Sequence, residues 1–486
     1  MRGAQSSVVQ PLVAQLMKAT AESKCIRFSM HFFRRTLQDR RGVTAIIFGI
    51  TATSIIGLVG LATEGGTWYL EKRHGQNTAD AAATAGALGL AQGESNAAAV
   101  ADATAVATLN SYVAGTSNGT VTTVTNTAVT FQGRPGIQST VTRSVPRLFS
   151  ALFLGANVSI SETATAIIST TGGNACTLAL SGGLSIAGSA AINAGGCTLA
   201  SNETGPNSIS FGGANAAVTA GTLVAEGGCS GNGNSGCSGN NLMLYQPPTT
   251  NPFTAIYNPA TGTGVTLPAT TAAANCLTIP TVSGTQAAPT QITPSTTAAY
   301  CAGTGKGANS TLKAVGGAYL NFAPGTYFFQ DSSLDFEAGT VECTACVPGG
   351  AGVTIILTGT SAKNVGTITI GGSAVVTLNA PATNTYNAAF NGVLFYMSSL
   401  ATGSNGNGNA PVSLSGNGTI QLTGGMYFPT VSVTYSGNVS ATNAAVACTE
   451  IVGQSIAFTG NSTVNIAGCT GDGTGVAKVQ TVELVQ

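Results

Sequence analysis

An apolar run without a charge, from Val43 to Thr63, constrains the fold of this chain more than any other feature. As a helix rising about 1.5 Å per residue, a run of roughly twenty residues reaches across the ~30 Å hydrocarbon core of a bilayer. The residues before it are few and basic, whereas those after it are many, polar and poor in charge. We therefore predict a single-pass membrane protein whose transmembrane helix lies at residues 42–63.

Basic residues on one side of the run predict its orientation. The segment 1–41 carries eight Lys or Arg against two acids, and the rest of the chain has an excess of acids. Because cytoplasmic flanks are enriched in Lys and Arg, we expect a basic cytoplasmic tail at 1–41 and a C-terminal domain that is periplasmic or extracellular. A cleaved signal peptide is the alternative, but its apolar region is shorter and lies nearer the N-terminus.

Four small residues recur along the predicted helix. Ala45, Gly49, Thr53 and Gly57 are spaced by four, so they share one face on which a second helix can approach closely. This face predicts helix association, either with another membrane protein or with a second copy of the chain. The alternative is that small residues are simply common in spanning helices.

Beyond the run, the pattern changes from helical to strand-like. An Ala-rich stretch at 78–91 predicts that the helix continues until Gly93 interrupts it, and Ser95 can cap a second Ala-rich helix. From 121 to 170, apolar and β-branched residues alternate with Thr and Ser, which is typical of half-buried strands. We predict a small α+β module over residues 64–172.

Residues 173–486 form a Gly/Thr/Asn-rich β domain in this interpretation. Charged residues make up 7% of the chain against a usual ~25%, and 65 glycines favour turn-rich β structure. A four-residue pattern recurs: a large apolar residue, a small residue, Gly, then Asn or Ser. It begins at Ile186, Ile370, Leu414, Tyr435 and Phe458, and more loosely at Phe211.

The spacing of this pattern predicts a repeating unit. The intervals are about 22 residues if the 44 residues between Ile370 and Leu414 count as two periods, which is within the range of stacked solenoids. We predict a mostly β exported domain shaped like a parallel β-helix, with a β-sandwich as the alternative. Residues 246–297, rich in Pro, Thr and Ala, are expected to be a loop-rich insertion.

The cysteines favour an oxidising compartment for the β domain. Cys25 is alone before the run, while an even number follow it, which favours disulfides. Neighbouring strands lie ~4.8 Å apart, so bridges between successive coils are geometrically feasible. Sequence leaves the connectivity open; the preferred nearest-neighbour set is Cys176 with Cys197, Cys229 with Cys237, Cys276 with Cys301, Cys343 with Cys346, and Cys448 with Cys469.

The residues around the apolar run form a recognisable series. It consists of Arg41-Gly42, the apolar helix ending in Gly57-Leu-Val-Gly-Leu-Ala62, Glu64, Trp68-Tyr69, Gln76-Asn77 and Ala79-Asp-Ala-Ala-Ala83. This series resembles the N-terminal region of TadG-like (TadE/G-like) proteins of tight-adherence (Flp) pilus assembly. The close resemblance covers about residues 40–92, and a looser one extends to Cys176-Thr-Leu-Ala-Leu180.

The resemblance implies a bacterial inner-membrane protein that assembles or anchors an adhesive pilus and is not an enzyme. Its implied partners are the cell membrane and pilus-assembly membrane proteins or pilus subunits. Pseudopilins of such systems carry Glu at the fifth position after the processed Gly, where this chain has Ile47 counted from Gly42. We therefore expect a permanent anchor. Asp331-Ser-Ser-Leu-Asp335 departs from the metal motif of von Willebrand type A domains, so no such domain is assigned.

Residues suited to catalysis are scarce. His31 and His74 are the only histidines and both lie outside residues 173–486, so that domain lacks a Ser-His-Asp or Cys-His nucleophile system and a mixed Cys/His zinc site. The one CxxC, Cys343 to Cys346, precedes Pro348-Gly and is interpreted as a structural disulfide. No cofactor, metal or nucleic acid is expected.

Two other functions remain as alternatives. Asp331, Asp335, Glu337 and Glu342 form an acidic cluster of the kind that β-helical polysaccharide lyases and hydrolases use, so an envelope carbohydrate-active enzyme is one. A solvated acidic face is the simpler interpretation of that cluster. Faces rich in Thr and Asn can bind sugars or surfaces through many weak hydrogen bonds, so an adhesin-like surface-binding module is the other.

Overall fold

The computed structural model describes residues 40–485, apart from residues 170–172, 214, 232–236, 239–240, 268–274, 304–309, 402–411, 418, 437–439, 442–447, 467–468 and 470–473. All but the last two residues of the expected basic tail, including Cys25, lie outside the described residues. The described residues form two α-helices, a five-stranded sheet, a large and mostly parallel sheet, and a small two-stranded sheet.

One long helix, α1 (Arg40–Ala91), contains the apolar run and continues through the Ala-rich stretch. The hydroxyl groups of Thr51, Thr53, Ser54 and Thr63 donate to backbone carbonyls one turn earlier, as in Thr53 Oγ1 to Gly49 O at 2.8 Å, so they stay satisfied without water. Gly93 ends the helix region with a φ of +88°, and the Ser95 side chain accepts from Ala98 N at 3.2 Å at the start of α2 (Asn96–Leu109).

Small residues allow close packing behind the first sheet. Ala99, Ala103 and Ala107 form the buried face of α2, and a Cβ at Gly86 of α1 would lie 2.8 Å from Ala99 O and 2.9 Å from Ile137. The sheet strands are β1 (Gly115–Ser117), β2 (Thr120–Phe131), β3 (Arg134–Val145) and β4 (Val158–Ser169). A C-terminal strand, Thr481–Leu484, pairs antiparallel with β4 and completes the order β1-β2-β3-β4 and then the C-terminal strand.

The strands of the β domain are short and numerous. The first part of the domain contains β5 (Asn174–Ala179), β6 (Leu184–Ala187), β7 (Ala191–Ser201), β8 (Ile209–Gly212), β9 (Ala217–Ala225), β10 (Cys229–Ser230), β11 (Leu242–Met243), β12 (Tyr257–Asn258), β13 (Thr263–Gly264), β14 (Cys276–Thr278), β15 (Thr290–Ile292) and β16 (Ala299–Cys301). The remainder contains β17 (Thr311–Ala314), β18 (Tyr319–Phe322), β19 (Gly325–Gln330), β20 (Ser333–Phe336), β21 (Thr340–Glu342), β22 (Val353–Thr358), β23 (Ile368–Ile370), β24 (Val375–Asn379), β25 (Val393–Met397), β26 (Val412–Leu414), β27 (Thr419–Tyr435), β28 (Ser440–Ala441), β29 (Thr449–Phe458), β30 (Thr463–Asn465), β31 (Ala477–Lys478) and the C-terminal β32 (Thr481–Leu484).

These strands pair in parallel along three ladders. Ladder A runs β15-β18-β21-β24-β27-β28-β30-β7-β9. Ladder B runs β14-β16-β19-β22-β25-β27-β29-β5-β7-β9-β11. Ladder C runs β17-β20-β23-β26-β27-β29-β6-β8-β10. The long strand β27 contributes to all three ladders, and β7, β9 and β29 each contribute to two. The mostly strand domain and its parallel pairing were both expected, whereas a sandwich of antiparallel hairpins has a different pairing.

The sequence repeat forms a single column in ladder C. Its apolar residues are direct rung partners in the order Ile370, Leu414, Tyr435, Phe458, Ile186, Phe211. All six are buried, and the rings of Tyr435 and Phe458 stack with centroids 5.2 Å apart. The following glycine has a positive φ in four of the copies, at Gly188, Gly372, Gly416 and Gly460; at Gly372 (+56°) and Gly416 (+90°) a Cβ would meet the neighbouring rung.

One interval of the repeat was wrongly interpreted. Ile370 and Leu414 are adjacent rungs, so the 44 residues between them make one step and not two periods. Between these two positions the chain passes each of the other ladders once, with β24 in ladder A and β25 in ladder B. Spacing alone could not distinguish a long excursion from a missing copy.

The rung order differs from the chain order. Strand β29, near the end of the chain, pairs with β5 at the start of the domain. The domain therefore begins in the middle of ladder B, and its first strands extend that ladder to β11 at one end. The chain re-enters at β14, the opposite end of ladder B. Residues from the connecting segment, including Phe253 and Ile256, pack in a second apolar cluster with ladder B residues such as Phe328 and Tyr427.

That covering segment explains why ladder B strands do not alternate. All six residues of β22 and all five of β25 are buried, because one face lies in the main core and the other beneath the connecting segment. Asn251 Nδ2 donates to Tyr427 Oη at 3.0 Å, and that hydroxyl donates to Tyr257 O at 2.5 Å. Residues 246–297, which were expected to be a loop-rich insertion, thus contain the short strands β12–β15 and the residues that pack over the outer face of ladder B.

Five disulfides link the ten cysteines of the β domain in the preferred nearest-neighbour pairing. They are Cys176–Cys197, Cys229–Cys237, Cys276–Cys301, Cys343–Cys346 and Cys448–Cys469. Cys276 and Cys301 lie in strands β14 and β16, which are ladder neighbours, with Cα atoms 5.4 Å apart. The pairs therefore close short segments and do not connect distant parts of the sequence.

Loop length predicts how much each disulfide stabilises the fold. Removing Cys276–Cys301 (separation 25) by double Cys→Ser substitution should lower the free energy of unfolding by about 3.5 kcal/mol, and removing Cys343–Cys346 (separation 3) by about 1.5 kcal/mol. Denaturant unfolding of the full chain in detergent micelles measures both, each double variant serving as the other's control. Equal losses would contradict the loop-entropy explanation.

A buried carboxyl group interrupts the apolar packing at β29. Glu450 is 0% exposed; its Oε1 accepts from Ala477 N at 3.2 Å, and its Oε2 has no hydrogen-bond partner among the described residues. Burial raises the pKa of this carboxyl well above its ordinary value, and the single Ala477 bond opposes that shift. Because the folded state holds the proton more tightly than the unfolded state does, this group destabilises the fold as pH rises.

Glu450→Gln should therefore change the pH dependence of stability. Near pH 4.5 the variant and the parent should be similarly stable; above it the parent should lose stability relative to the variant by up to about 1.4 kcal/mol per pH unit, until the pH passes the raised pKa. Unfolding midpoints across a pH series measure the difference. Glu342→Gln, at a half-buried strand position, controls for the loss of one carboxylate, and parallel profiles for parent and Glu450→Gln would refute the prediction.

Candidate membrane-proximal site

The first half of α1 exposes an apolar surface to the surroundings. By length and composition this helix is suited to cross a membrane, and none of its most apolar window is buried inside the protein. The large exposed side chains are 41–72% accessible and comprise Ile46, Ile47, Phe48, Ile50, Ile55, Ile56, Leu58, Val59 and Leu61. A continuous apolar surface of this size requires a nonaqueous partner.

The predicted helix-association face is largely open. Ala45, Gly49 and Thr53 are exposed, and a Cβ at Gly49 would meet no described atom within 4 Å. Gly57 differs because the ring of Phe149 comes within 4.0 Å of its Cβ position. Association of a second helix with this face stays a prediction. At Gly57, the last of the four positions, Phe149 of the same chain already lies beside the helix.

Glu64, one residue beyond the apolar run, is the central polar group of the site. It is 1% exposed, and both carboxylate oxygens accept hydrogen bonds from residues more than eighty positions away. Leu148 N donates to Oε1 at 2.9 Å, Ser150 N to Oε2 at 2.8 Å, and Ser150 Oγ to Oε1 at 2.8 Å. A buried carboxylate needs such donors, so Glu64 holds this loop against the helix.

A second polar cluster lies two turns further along α1. Arg143 Nη1 contacts Glu71 Oε1 at 2.7 Å, and Tyr112 donates its hydroxyl to the same oxygen at 2.8 Å. The guanidinium carbon also lies 3.9 Å from the Tyr112 ring centroid. Burial, and then the Glu71 carboxylate, raise the pKa of Tyr112, so its hydroxyl remains a donor. This cluster joins the helix to the strand module.

Sequence reasoning missed the partners of Glu64. Only the apolar character of residues 148–154, in an otherwise polar module, signalled that this loop was unusual. The acid itself was identified as part of the family series, but its long-range hydrogen bonds depend on where β3 and β4 bring the loop. No periodicity in the sequence encodes that contact.

The acidic cluster of the β domain forms local contacts. Asp331 accepts from Thr360 N at 2.8 Å, and Asp335, the rung partner of Lys313, pairs with that lysine at 2.9 Å. Glu337 lies 3.6 Å from the same ammonium group. Within the described part of the chain, no group of three or more His, Cys, Asp or Glu is arranged to hold a metal.

A polar cavity opens elsewhere in the β domain. It has a volume of about 440 Å³, and its lining includes Tyr257, Tyr396, Gln330, Thr358 and Ser398. Gln330 is 6% exposed, and its Oε1 has no partner among the described residues. Aromatic rings beside hydroxyl and amide groups suit a polar organic ligand.

Glu64→Gln tests whether the hydrogen bonds to the Glu64 carboxylate hold the loop that contains Leu148 and Ser150 against the helix. The amide group would place a donor against the N–H groups of Leu148 or Ser150, so hydrogen exchange at these two amides should accelerate by about tenfold or more. Exchange followed by mass spectrometry in micelles measures this. Glu71→Gln, on the same helix but outside this contact, should leave both amides unchanged, and unchanged exchange in Glu64→Gln would show that the carboxylate does not hold the loop.

Comparison with known proteins identifies the region that contains this site. Residues 42–92 match the family model described as putative Flp pilus-assembly TadE/G-like. The matched segment begins at the apolar run, includes Glu64 and Glu71, and ends with α1. No curated protein and no solved structure matches the chain. The N-terminal region of this protein is therefore TadE/G-like.

Proposed function

We propose that this protein is a membrane-anchored, non-enzymatic component of tight-adherence (Flp) pilus assembly. The observation that carries the proposal is the coincidence of the TadE/G-like match at 42–92 with a helix whose most apolar window has no residue buried inside the protein. In this proposal α1 crosses the bacterial inner membrane once. The N-terminus is cytoplasmic, and the β domain lies on the periplasmic or extracellular side.

Two features support a permanent anchor in that membrane. Ile47 stands where a processed pseudopilin carries Glu, and Glu64 ties the outer end of the run to the following module. The disulfides of the β domain support an oxidising compartment beyond the membrane. An anchored domain of this kind can present binding surfaces to pilus subunits or to neighbouring assembly proteins.

We further propose that the β domain is a parallel β-helix. Its support is the regular order of the ladders, in which successive rungs of ladder C are mostly 20–25 residues apart and every strand pair between rungs is parallel. Such a stack offers long, uncharged faces rich in Thr, Ser and Asn. Contact through these faces needs no catalytic residues, and the engagement of Asp335 and Glu337 with Lys313 supports a structural role for the acidic cluster.

Thiol labelling tests the orientation. A membrane-impermeant maleimide should label Cys25 only after spheroplasts are permeabilised. A Cys25→Ser, Ser117→Cys variant should be labelled in intact spheroplasts, because Ser117 is exposed beyond the helix. The opposite pattern would reverse the orientation, and labelling of both sites in intact cells would contradict a spanning helix.

Gene deletion tests the role in assembly. We expect loss of surface Flp pili, rescue by the parent chain, and no rescue by a chain truncated after residue 172. Normal pili in the deletion strain would refute the proposal. Polysaccharide cleavage by the purified chain that is lost in Asp335→Asn would favour the carbohydrate-active alternative.

The polar cavity favours surface adhesion as a second candidate function. Its tyrosines and amide suit a sugar, the ligand class that an adhesin-like module would take. Tyr396→Ala would then reduce attachment while pili remain intact. Unchanged attachment would leave the cavity without this role.

A further inference from the structure

We propose that residues 147–154, here called the interfacial loop, form a second membrane contact beside α1. Their apolar side chains insert among lipid acyl chains in the leaflet that surrounds the outer end of the apolar run. The inference rests on the proposed function in one respect, that α1 crosses the bilayer. It adds a lipid-binding element that the TadE/G-like match, which ends at residue 92, does not include.

The loop lies at the depth of the apolar run. The ring of Phe149 covers the helix backbone at Gly60, where an added Cβ would lie 2.5 Å from a ring carbon, and it reaches toward Gly57. Gly60 precedes Glu64 by one turn, or about 6 Å along the axis. A span that places Gly60 in the hydrocarbon therefore places the Phe149 ring there too.

The loop exposes four large apolar side chains. Leu148, Leu152, Phe153 and Leu154 are 64%, 77%, 77% and 54% exposed. Four large apolar side chains within seven residues form a patch that water solvates poorly. Because Phe149 of the same loop packs on α1 at Gly60, one apolar environment can cover both the patch and the exposed side chains of α1.

Five backbone N–H groups of the loop have acceptors within the protein. Leu148 N and Ser150 N donate to Glu64, Leu152 N donates to Phe149 O at 3.3 Å, and Phe153 N and Leu154 N donate to Ser150 O at 3.0 and 2.9 Å. Each donor satisfied in this way lowers the cost of bringing non-helical backbone close to the hydrocarbon. Glu64 supplies acceptors that the short turn at Ser150–Leu152 cannot provide for itself.

The charged group of the loop lies at its polar edge. The Arg147 guanidinium donates through Nε to Ala156 O at 2.5 Å, and its carbon lies 5.8 Å from the Trp68 ring centroid. Trp68 follows Glu64 by one turn, the position at which indole rings and arginines occupy the headgroup region. Along the helix axis, the apolar side chains of the loop come first, the buried carboxylate of Glu64 second, and Trp68 with Arg147 last. This order matches the change from hydrocarbon to headgroups across one leaflet, which favours lipid over a protein partner.

Depth-dependent fluorescence quenching tests the proposal on the full chain. Trp68→Phe removes the only tryptophan, and single tryptophans are then introduced as Phe153→Trp in the loop, Phe48→Trp in the helix, and Val113→Trp as an exposed control in the connection between α2 and β1. Each variant is reconstituted into phosphatidylethanolamine and phosphatidylglycerol vesicles, with or without bromine midway along the acyl chains. Leu152→Trp is a second loop probe in case Phe153→Trp does not fold.

We expect blue-shifted emission and strong quenching at positions 48 and 153, and neither at 113. Quenching at 48 without quenching at 153 or 152 would overturn the loop proposal while leaving the spanning helix intact. Blue-shifted loop emission without quenching would indicate a protein contact and would also overturn it. No quenching at 48 would instead refute the proposed spanning helix itself.

Discussion

The β domain depends on in-register stacking of one apolar residue from each turn of the chain on the next. In ladder C the column from Phe336 through Ile370 and Leu414 to Tyr435 is buried at every rung. Burying a large apolar side chain contributes roughly 1.5–3 kcal/mol, and parallel pairing satisfies the backbone between the rungs. Few charges are then needed, which explains how a domain with so little Lys, Arg, Asp and Glu can have an extended core.

Two buried glutamates illustrate opposite solutions to the burial of a carboxyl group. Glu64 receives three hydrogen bonds, with both oxygens engaged, and this requirement draws the interfacial loop onto α1. Glu450 receives one bond, and its other carboxyl oxygen has no partner among the described residues around β29, so burial favours its protonated form. The first arrangement organises a site; the second makes the stability of the β domain sensitive to pH.

Local features were predictable because their causes are local. Gly93 and Ser95 mark the end of one helix and the start of the next, since a positive φ and a side-chain cap depend on neighbouring residues. The alternation after residue 121 located β2, β3 and β4 for the same reason. The cysteine pairs followed nearest-neighbour spacing because each links segments that are close in sequence.

By itself the sequence determined the apolar helix, the TadE/G-like region, the strand-rich character of the large domain and the apolar positions that form its column. Only the tertiary structure decided the order of the rungs. Phe458 near the end of the chain pairs with Ile186 near the start of the β domain, and the spacing of the repeat does not predict a pairing between residues so far apart in the sequence. The same holds for the cover over ladder B and for the bonds between Glu64 and the interfacial loop. Each joins residues far apart in the chain, where the contact follows from packing and hydrogen-bond satisfaction in three dimensions and not from any local pattern.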